Sequence, residues 1–298
     1  MNQHLVVVAG GDLRQVHLAN LLSKTHKTVV FGFEPDVEFS DHVEKISDLF
    51  QLSPYLQQAE YLILPMPAAE PGNLLNSPLS VQKIHLEDLF RLAGPNLMVL
   101  GGKITPPLED LLRWYGLPWI DYLKREDLSI LNAVPTAEGT IQIILEEMPI
   151  TIHGMKILIL GSGRISKVLR QNLTALGAQV SICARNPTDL CWAQWEGCTP
   201  IRLEHLPESV GEYQLIINTI PARILDETVL HQVHPDTLLI DLASKPGGID
   251  FYAAKQLGLR TVWALSLPGK TAPVSAGKIL HHCLENLFSE QDERRGRI

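Results

Sequence analysis

Short apolar runs alternate with amphipathic segments along the second half of the chain. The segment after the first run carries apolar residues at helical spacing from Ile165 to Leu176, and Gly177 follows as a helix stop. Strands separated by helices predict a parallel sheet covered on both faces, and six strands are typical of a complete doubly wound domain. The predicted strands are Ile157–Leu160, Gln179–Ala184, Pro200–Leu203, Leu215–Asn218, Leu238–Asp241 and Thr261–Ala264.

The first half follows the same pattern less regularly. Its apolar runs predict strands at Leu5–Val8, Thr28–Phe31, Tyr61–Leu64, Leu97–Leu100 and Trp119–Tyr122. Four of these runs are followed by segments rich in Gly or Pro, namely AGGDLRQ, GFEPD, PMPAAEPG and GGKITPP. In a parallel sheet such loops lie at the carboxyl edge, where open α/β sheets bind their ligands.

These patterns predict the α/β class with two Rossmann-like domains, the second a doubly wound parallel sheet that binds a dinucleotide. The expected bounds are 1–131 for a substrate-binding and catalytic domain and 132–298 for an NAD(P)-binding domain. A connecting helix is expected over 132–150, starting near Pro135. A second amphipathic segment, 272–290, predicts a C-terminal helix that packs back on the first domain.

Composition narrows the function classes. The 298 residues are 45% hydrophobic and carry a net charge of −8, which argues against a nucleic-acid binder. No apolar run reaches the length of a membrane helix, and the start lacks the features of a signal peptide. Four cysteines without CxxC spacing, and no clustered histidines, argue against zinc and against a disulfide framework. We therefore expect a reduced, cytoplasmic protein without a metal.

The stretch KILILGSGRIS has the features of a phosphate-binding turn. Gly161 and Gly163 follow a predicted strand and open a predicted helix, and Ser166 stands where a third glycine is often found. Amide groups at such a helix start bind anions, so a dinucleotide is expected here. The residues predicted to hold it are Gly161, Ser162, Gly163, Arg164 and Ile165.

The choice between NADP and NAD depends on the end of the next strand. An NAD site usually places Asp or Glu there, whereas this chain has Ala184 followed by Arg185. A guanidinium can pair with a 2′-phosphate, so NADP is favoured, and NAD remains the alternative cofactor. The alternative without a functional role is that Arg185 is a solvated arginine at the end of a strand. The loop after the fourth strand is also predicted to face the cofactor through Asn218, Thr219, Ile220 and Pro221.

Seven motifs in order along nearly the whole chain resemble the A-subunit family of dipicolinate synthase. They are GGDLRQ, NAVPTAEGTI, GSGRIS, CARN, NTIP, DLASKPGGID and LPGKTAPVSAG. The last is also similar to alanine dehydrogenases. The resemblance implies oxidation of a dihydrodipicolinate-type precursor to dipicolinate during spore formation, with a nicotinamide cofactor as hydride acceptor. It further implies that the partner is the flavoprotein-like B subunit of dipicolinate synthase and that the location is the mother-cell cytoplasm.

A dianionic substrate of this kind needs local cations. Arg14 and Asp12 in the first loop, Lys103 in a later loop and Thr136 at the junction are the candidate substrate-binding residues. Lys103 could equally be a surface residue, and Thr136 could cap its helix. The candidate catalytic residues lie in loops of the second domain: Lys245, Lys270 and Asp241. The lysines could carry a proton or pair with a carboxylate, whereas Asp241 could orient a neighbour or cap a helix.

Two other function classes stay open at this point. One is a different NADP-dependent dehydrogenase on the same plan, of the alanine or shikimate dehydrogenase type. The other is a non-catalytic NADPH-binding subunit that supports its partner. A homo-oligomer is also compatible with the sequence.

Overall fold

The chain folds into two compact units, which the computed structural model describes over residues 3–296. One unit combines the described residues up to Asn132 with those from Ala272 onward, and the other is Ala133–Thr271. The C-terminal segment therefore belongs with the first unit, whereas the expected second domain extended to residue 298.

Each unit is built on a parallel sheet of six strands. The strands up to residue 132 are β1 (Leu5–Ala9), β2 (Lys27–Phe31), β3 (Val43–Ile46), β4 (Tyr61–Ile63), β5 (Ala69–Glu70), β6 (Leu74–Leu75), β7 (Met98–Gly101) and β8 (Trp119–Asp121). Those of the second unit are β9 (Lys156–Leu160), β10 (Gln179–Ala184), β11 (Thr199–Arg202), β12 (Leu215–Asn218), β13 (Leu238–Asp241) and β14 (Arg260–Trp263). The orders are β3-β2-β1-β4-β7-β8 and β11-β10-β9-β12-β13-β14, while β5 and β6 form a separate antiparallel pair.

Helices cover both faces of each sheet. They are α1 (Leu13–Leu22), α2 (Leu49–Gln58), α3 (Leu86–Arg91), α4 (Pro106–Trp114), α5 (Glu126–Glu147), α6 (Arg164–Ala175), α7 (Pro187–Trp195), α8 (Leu206–Ser209), α9 (Glu227–Leu230), α10 (Phe251–Gln256), α11 (Leu267–Thr271) and α12 (Pro273–Arg294). Strand neighbours such as Ile157 and Leu158 belong to separate buried clusters on opposite faces. Burial on both faces explains the continuous apolar strands, and the predicted fold class is confirmed.

The connecting helix differs from the expected one. It begins at Glu126 and ends at Glu147, so that Pro135 lies inside it and not at its start. A proline inside a helix removes one backbone hydrogen bond but does not always end the helix. The division between the two units falls within this helix, after Asn132.

Helix α5 is also long and apolar enough to cross a membrane, by length and composition alone. Buried residues make up 39% of its most apolar window, and Ala137 and Ile144 belong to the core of the second unit. The core helix of a globular protein has the same properties, so these features are weak evidence for a membrane span.

Helix α12 packs closely on α1 within the first unit. A Cβ atom on Gly277 would lie 2.7 Å from the Cβ of His17 and 3.0 Å from the backbone oxygen of Arg14. The absence of a side chain at Gly277 thus allows the two helices to approach each other. Ala276 and Leu280, on the same helix, contribute to the wall of a cavity next to α1.

Candidate functional site

The turn between β9 and α6 has the geometry of a phosphate-binding loop. Gly161 has a φ of +101°, and its N–H donates to the oxygen of Cys183 on β10 at 2.8 Å. A Cβ atom there would lie 2.5 Å from the Thr219 hydroxyl. By contrast, a Cβ atom on Gly163 would meet no atom within 4 Å, and no side chain caps α6 at this residue. The first amides of α6 have no acceptor within the helix itself, and open space lies beside Gly163, as an anion site requires.

Ser166 occupies the position of the third glycine without obstructing this loop. Its side chain is fully buried, and its hydroxyl oxygen has no hydrogen-bond partner within the described chain. The small side chain is compatible with close packing of α6 on the sheet. Arg164 and Ile165, in the first turn of α6, are exposed and half-buried respectively.

A groove of about 270 Å³ extends from this loop to the end of β10. Gly161, Ser162, Ala184, Arg185, Asn186, Asp189, Leu203, Ile220, Ala222 and Ile224 line it. Arg185 is exposed and makes no ion pair with another described residue. The half-buried Asp189 brings one carboxylate to the same groove, a feature that the sequence prediction omitted.

Arg202 is a second arginine at this edge of the sheet that sequence reasoning missed. It ends β11 and stands opposite Ala184 in the register of the two strands. Together with Arg185 it lines a depression that adjoins the groove, and its Nη1 lies 3.7 Å from a carboxylate oxygen of Glu204. Only the pairing of β10 with β11 brings the two arginines to one place, which spacing along the sequence does not reveal.

The loop after β12 is held by its own hydrogen bonds. The Asn218 side chain is fully buried, donates to the oxygen of Ile220 at 3.0 Å and accepts from the N–H of Ile220 at 3.1 Å. The Thr219 hydroxyl donates to the oxygen of Leu160 at 2.8 Å, which ties this loop to the end of β9. Asn218 thus shapes the loop, Ile220 lines the groove, and Pro221 is exposed at the loop surface.

Asp241, at the end of β13, organises the neighbouring loop. Its Oδ1 accepts from the Asn218 side chain at 2.8 Å and from the N–H of Ala243 at 3.0 Å. Its Oδ2 accepts from the N–H groups of Gly248 at 2.7 Å and Ile249 at 3.3 Å. Because this fully buried carboxylate is engaged by four protein donors, its geometry favours a positioning role.

Among the described residues, no hydrogen bond or ion pair joins the three candidate catalytic residues to one another. Lys245 is exposed, and its Nζ lies 5.9 Å from the ring centroid of Trp263. Lys270 is exposed on the short helix α11 and has no side-chain hydrogen bond or ion pair to another described residue. Thr136 is half-buried in α5, where its backbone oxygen accepts from the Thr140 hydroxyl at 2.8 Å.

In the first unit, Arg14 is buried at the start of α1 and already carries several contacts. Its Nε lies 2.9 Å from Oδ1 of Asp12, and its Nη2 lies 2.8 Å from Oδ2. Nη2 also donates to the backbone oxygen of Met66 at 3.0 Å. Asp12 in turn caps α1 by accepting from the N–H of Arg14 at 3.0 Å. One edge of the guanidinium is therefore occupied, and Nη1 has a weak contact to the Met66 sulfur at 4.0 Å.

A cavity next to this pair is formed by residues of the first unit. Asp12, Arg14, Gln15, Pro65, Met66, Asn76, Pro78, Leu128, Asn132, Ala276 and Leu280 line it. Lys103 is not among the lining residues; it is exposed in the loop after β7, with a φ of +57° and its N–H bonded to Asp121 at 3.0 Å. The structure thus joins Asp12 with Arg14 and places Lys103 outside this cavity.

Two buried groups near the sites, a tyrosine hydroxyl and a cysteine thiol, have pKa values well above their ordinary ones. Burial raises the pKa of Tyr122 far above its ordinary range, and its hydroxyl donates to the oxygen of Leu64 at 2.8 Å. Burial also raises the pKa of the Cys183 thiol to about 12. Neither group loses a proton near neutral pH. All four cysteines are free, and within residues 3–296 no group of three or more His, Cys, Asp or Glu side chains could hold a metal.

Comparison with known proteins identifies the family to which the chain is similar. A family model described as the N-terminal domain of the dipicolinate synthase A subunit matches residues 5–123. The chain is 32% identical to the dipicolinate synthase A subunit from Bacillus subtilis (strain 168), with 98% of each chain covered. The crystal structure of the A chain of dipicolinate synthase from Bacillus subtilis matches with a TM-score of 0.89 and 31% identity, again covering 98% of each chain.

More distant structures share the fold. A transhydrogenase from Sinorhizobium meliloti matches with a TM-score of 0.69 at 15% identity, covering 96% of this chain and 94% of that chain. An L-alanine dehydrogenase matches with a TM-score of 0.67 at 14% identity, covering 93% and 87% respectively. At these identities the likeness concerns the dehydrogenase-like fold. The identity to the Bacillus subtilis protein over nearly its whole length shows that this chain belongs to the A-subunit family of dipicolinate synthase.

Proposed function

We propose that this chain is an NADP-dependent oxidoreductase subunit that converts a dihydrodipicolinate-type precursor to dipicolinate together with the B subunit of dipicolinate synthase. The observation that carries the proposal is the loop from Gly161 to Gly163, where α6 begins next to open space and no side chain caps it. Membership of the family supports the substrate class. The partner protein, the role in spore formation and the cytoplasmic location are part of the same proposal.

The residues of the second unit fit a dinucleotide. The amides at the start of α6 would bind the diphosphate, because they have no acceptor within the helix and lie at the positive end of the helix dipole. The groove that ends at Arg185 would take the adenosine half. Asn218 and Asp241 would act indirectly by fixing the loops after β12 and β13. When bound, NADP supplies the hydride acceptor of the reaction.

Two arginines support NADP over NAD. Arg185 and Arg202 both line the depression beside the groove, and a guanidinium forms strong forked bonds with a phosphate. Asp189 works in the opposite direction, because its carboxylate would repel a 2′-phosphate and could accept from a ribose hydroxyl. We propose that the two cations outweigh the single acid.

Removal of one arginine should therefore reduce the preference for NADP. We expect Arg185→Ala to weaken NADP binding by about tenfold or more and to leave NAD binding within about twofold, as the loss of one charge-assisted phosphate contact implies. Arg202→Ala should act in the same direction with a smaller effect, because Glu204 already lies 3.7 Å from Arg202. The measurement is the ratio of the two dissociation constants in a calorimetric titration.

Asp189→Asn provides the matched control. It lies in the same groove but removes the opposite charge, so it should raise NADP affinity and increase the preference. The same affinity ratio in wild type and in Arg185→Ala would remove Arg185 from the site, and a wild-type ratio in favour of NAD would contradict NADP as the cofactor.

The first unit is proposed to hold the substrate carboxylates. Arg14 would meet one of them through Nη1, since Asp12 and Met66 already occupy Nε and Nη2. Lys103, Thr136, Lys245 and Lys270 stay as candidate partners of the substrate. Oxidation removes one hydride and one proton from the ring, and the aromatic product favours the forward direction. Such a step depends on orientation more than on a strong base.

The proposed activity is tested by following the absorbance of reduced nicotinamide. The full chain is mixed with NADP and the dihydrodipicolinate-type precursor, with and without the purified B subunit. We expect precursor-dependent reduction of NADP that is lost in Arg14→Met. Turnover only when the B subunit is present would indicate an obligate complex, whereas turnover of alanine or a shikimate-type substrate would contradict the proposed substrate class. If NADP is reduced in none of the mixtures, the result would indicate a dinucleotide-binding protein without catalytic activity.

A further inference from the structure

A wide groove lies between α6 and α7 of the second unit, and the site described above does not use it. Its volume is about 760 Å³, whereas the groove next to Gly161 has about 270 Å³. One wall is a face of α6 that runs over two helical turns, or about 12 Å, from Lys167 to Ala175. The groove is therefore a long, open trough between two neighbouring helices.

Two tryptophans of α7 form the opposite wall. Trp192 is 54% exposed and Trp195 is 78% exposed, and their rings meet edge to face with centroids 5.7 Å apart. Tryptophan is highly buried on average in folded proteins, and it is enriched where one protein contacts another. The inner face of the same helix is formed by the buried Leu190 and Ala193, so core packing does not require the two tryptophans. This wall has the features of a contact surface.

The charged groups of the groove leave one positive charge. Arg170 is buried, and its Nη2 donates to Oε1 of Glu196 at 2.6 Å, so this pair is neutral. Lys167 is exposed and forms no ion pair with any residue in the described part of the chain. Covering a cation without a counter-charge costs free energy. A partner that fits the groove therefore brings apolar side chains to the tryptophans and a carboxylate to Lys167.

A second copy of this chain does not meet that requirement when the two grooves face each other. Each copy would bring another Lys167 without a counter-charge, because Arg170 already engages Glu196. A trough between two helices fits the ridge of a third helix. Shape and charge thus favour an amphipathic helix with acidic residues beside its apolar face, and membership of an A-subunit family implies a partner subunit that can supply it.

Resting on the proposed function above, which includes the B subunit of dipicolinate synthase, we propose that this groove binds an acidic amphipathic helix of that subunit. Trp192 and Trp195 bind the apolar face of the helix, and Lys167 binds one of its carboxylates. The groove shares no lining residue with the proposed dinucleotide groove. The B subunit and the dinucleotide therefore do not compete for the same side chains.

The test is a calorimetric titration of the full chain with the purified B subunit. We expect Trp195→Ala to weaken this binding by at least about tenfold, or about 1.4 kcal/mol, as the loss of a tryptophan contact implies. Lys167→Glu should weaken it by a similar factor and Lys167→Met by less, because only glutamate repels the acidic helix. The affinity of Trp195→Ala for NADP should stay within about twofold of wild type.

Trp114→Ala is the matched control, because Trp114 is 84% exposed on α4 of the first unit. It should leave the affinity for the B subunit within about twofold. Hydrogen exchange of the wild-type chain gives a measurement that needs no variant: the B subunit should slow amide exchange over 167–175 and 192–198. Unchanged exchange in both segments, or wild-type affinity in Trp195→Ala, would overturn the proposal.

The docking surface and the proposed function fail differently. If the B subunit binds wild type and Trp195→Ala equally well, the role of the groove is wrong and the proposed function stands. If the chain alone sediments as a dimer and Trp195→Ala sediments as a monomer, a second copy occupies the groove and the assignment to the B subunit is wrong. If wild type does not bind the B subunit, the proposed partner is wrong and the docking surface falls with it, whereas reduction of NADP by the chain alone would still support the oxidoreductase.

Discussion

Gly163→Asp is expected to fold normally and to lose the dinucleotide binding that we propose. Asp is a favourable residue at the first position before a helix, and no described atom lies within 4 Å of the new Cβ. Its carboxylate would accept from the amides at the start of α6 and would repel the diphosphate that needs them. We expect NADP affinity to fall by about a hundredfold or more, or about 2.7 kcal/mol, in a fluorescence or calorimetric titration.

Gly163→Ser is the control for size and capping. A hydroxyl competes for the same amides but carries no charge, so the loss of affinity should be clearly smaller than with aspartate. Thermal unfolding of both variants should match wild type when no dinucleotide is added. If Gly163→Asp bound NADP as tightly as wild type, the start of α6 would not be the diphosphate site, and the oxidoreductase proposal would lose its main support.

Asp241→Ala should produce the largest loss of stability among the substitutions considered. The change leaves the side chain of Asn218 and three backbone N–H groups without their acceptor inside a fully buried site. We expect the free energy of unfolding to fall by about 3–5 kcal/mol. The unfolding temperature should decrease by on the order of 10 °C in a calorimetric scan.

Asp226→Ala is a matched control in the same unit. Asp226 caps α9 by accepting a single bond from the N–H of Val229 at 3.0 Å, so its removal should lower the unfolding free energy by about 1 kcal/mol. Asp241→Asn should fall between the two, because the amide keeps one acceptor. Equal losses of unfolding free energy in Asp241→Ala and Asp226→Ala would contradict the conclusion that Asp241 holds the loops after β12 and β13.

The strands of the second unit could be predicted because both faces of its sheet are buried. Such strands have continuous apolar runs, and the predicted Gln179–Ala184, Leu215–Asn218 and Leu238–Asp241 agree with β10, β12 and β13. Strand β3 was missed because it is a short edge strand, and two of its four residues, VEKI, are charged, so it has no apolar run. The start of α5 was misplaced because Pro135 is typical of a helix start but here lies within a helix.

The candidate site could be predicted in part. The turn at Gly161 follows from the glycine spacing and its place after a strand. Pairing of Arg14 with Asp12 could not be foreseen, because loops rich in glycine admit many side-chain arrangements. The burial of the Gln15 side chain could not be predicted either, because it depends on how the loops pack around the start of α1.

The order of synthesis follows from the division of the chain into units. Ala133–Thr271 is one uninterrupted segment, so all of its residues are synthesised before α12. The first unit begins earlier but waits for Ala276 and Leu280 to close the wall beside Arg14. A nascent chain can thus acquire the turn at Gly161 before the cavity beside Arg14 is closed.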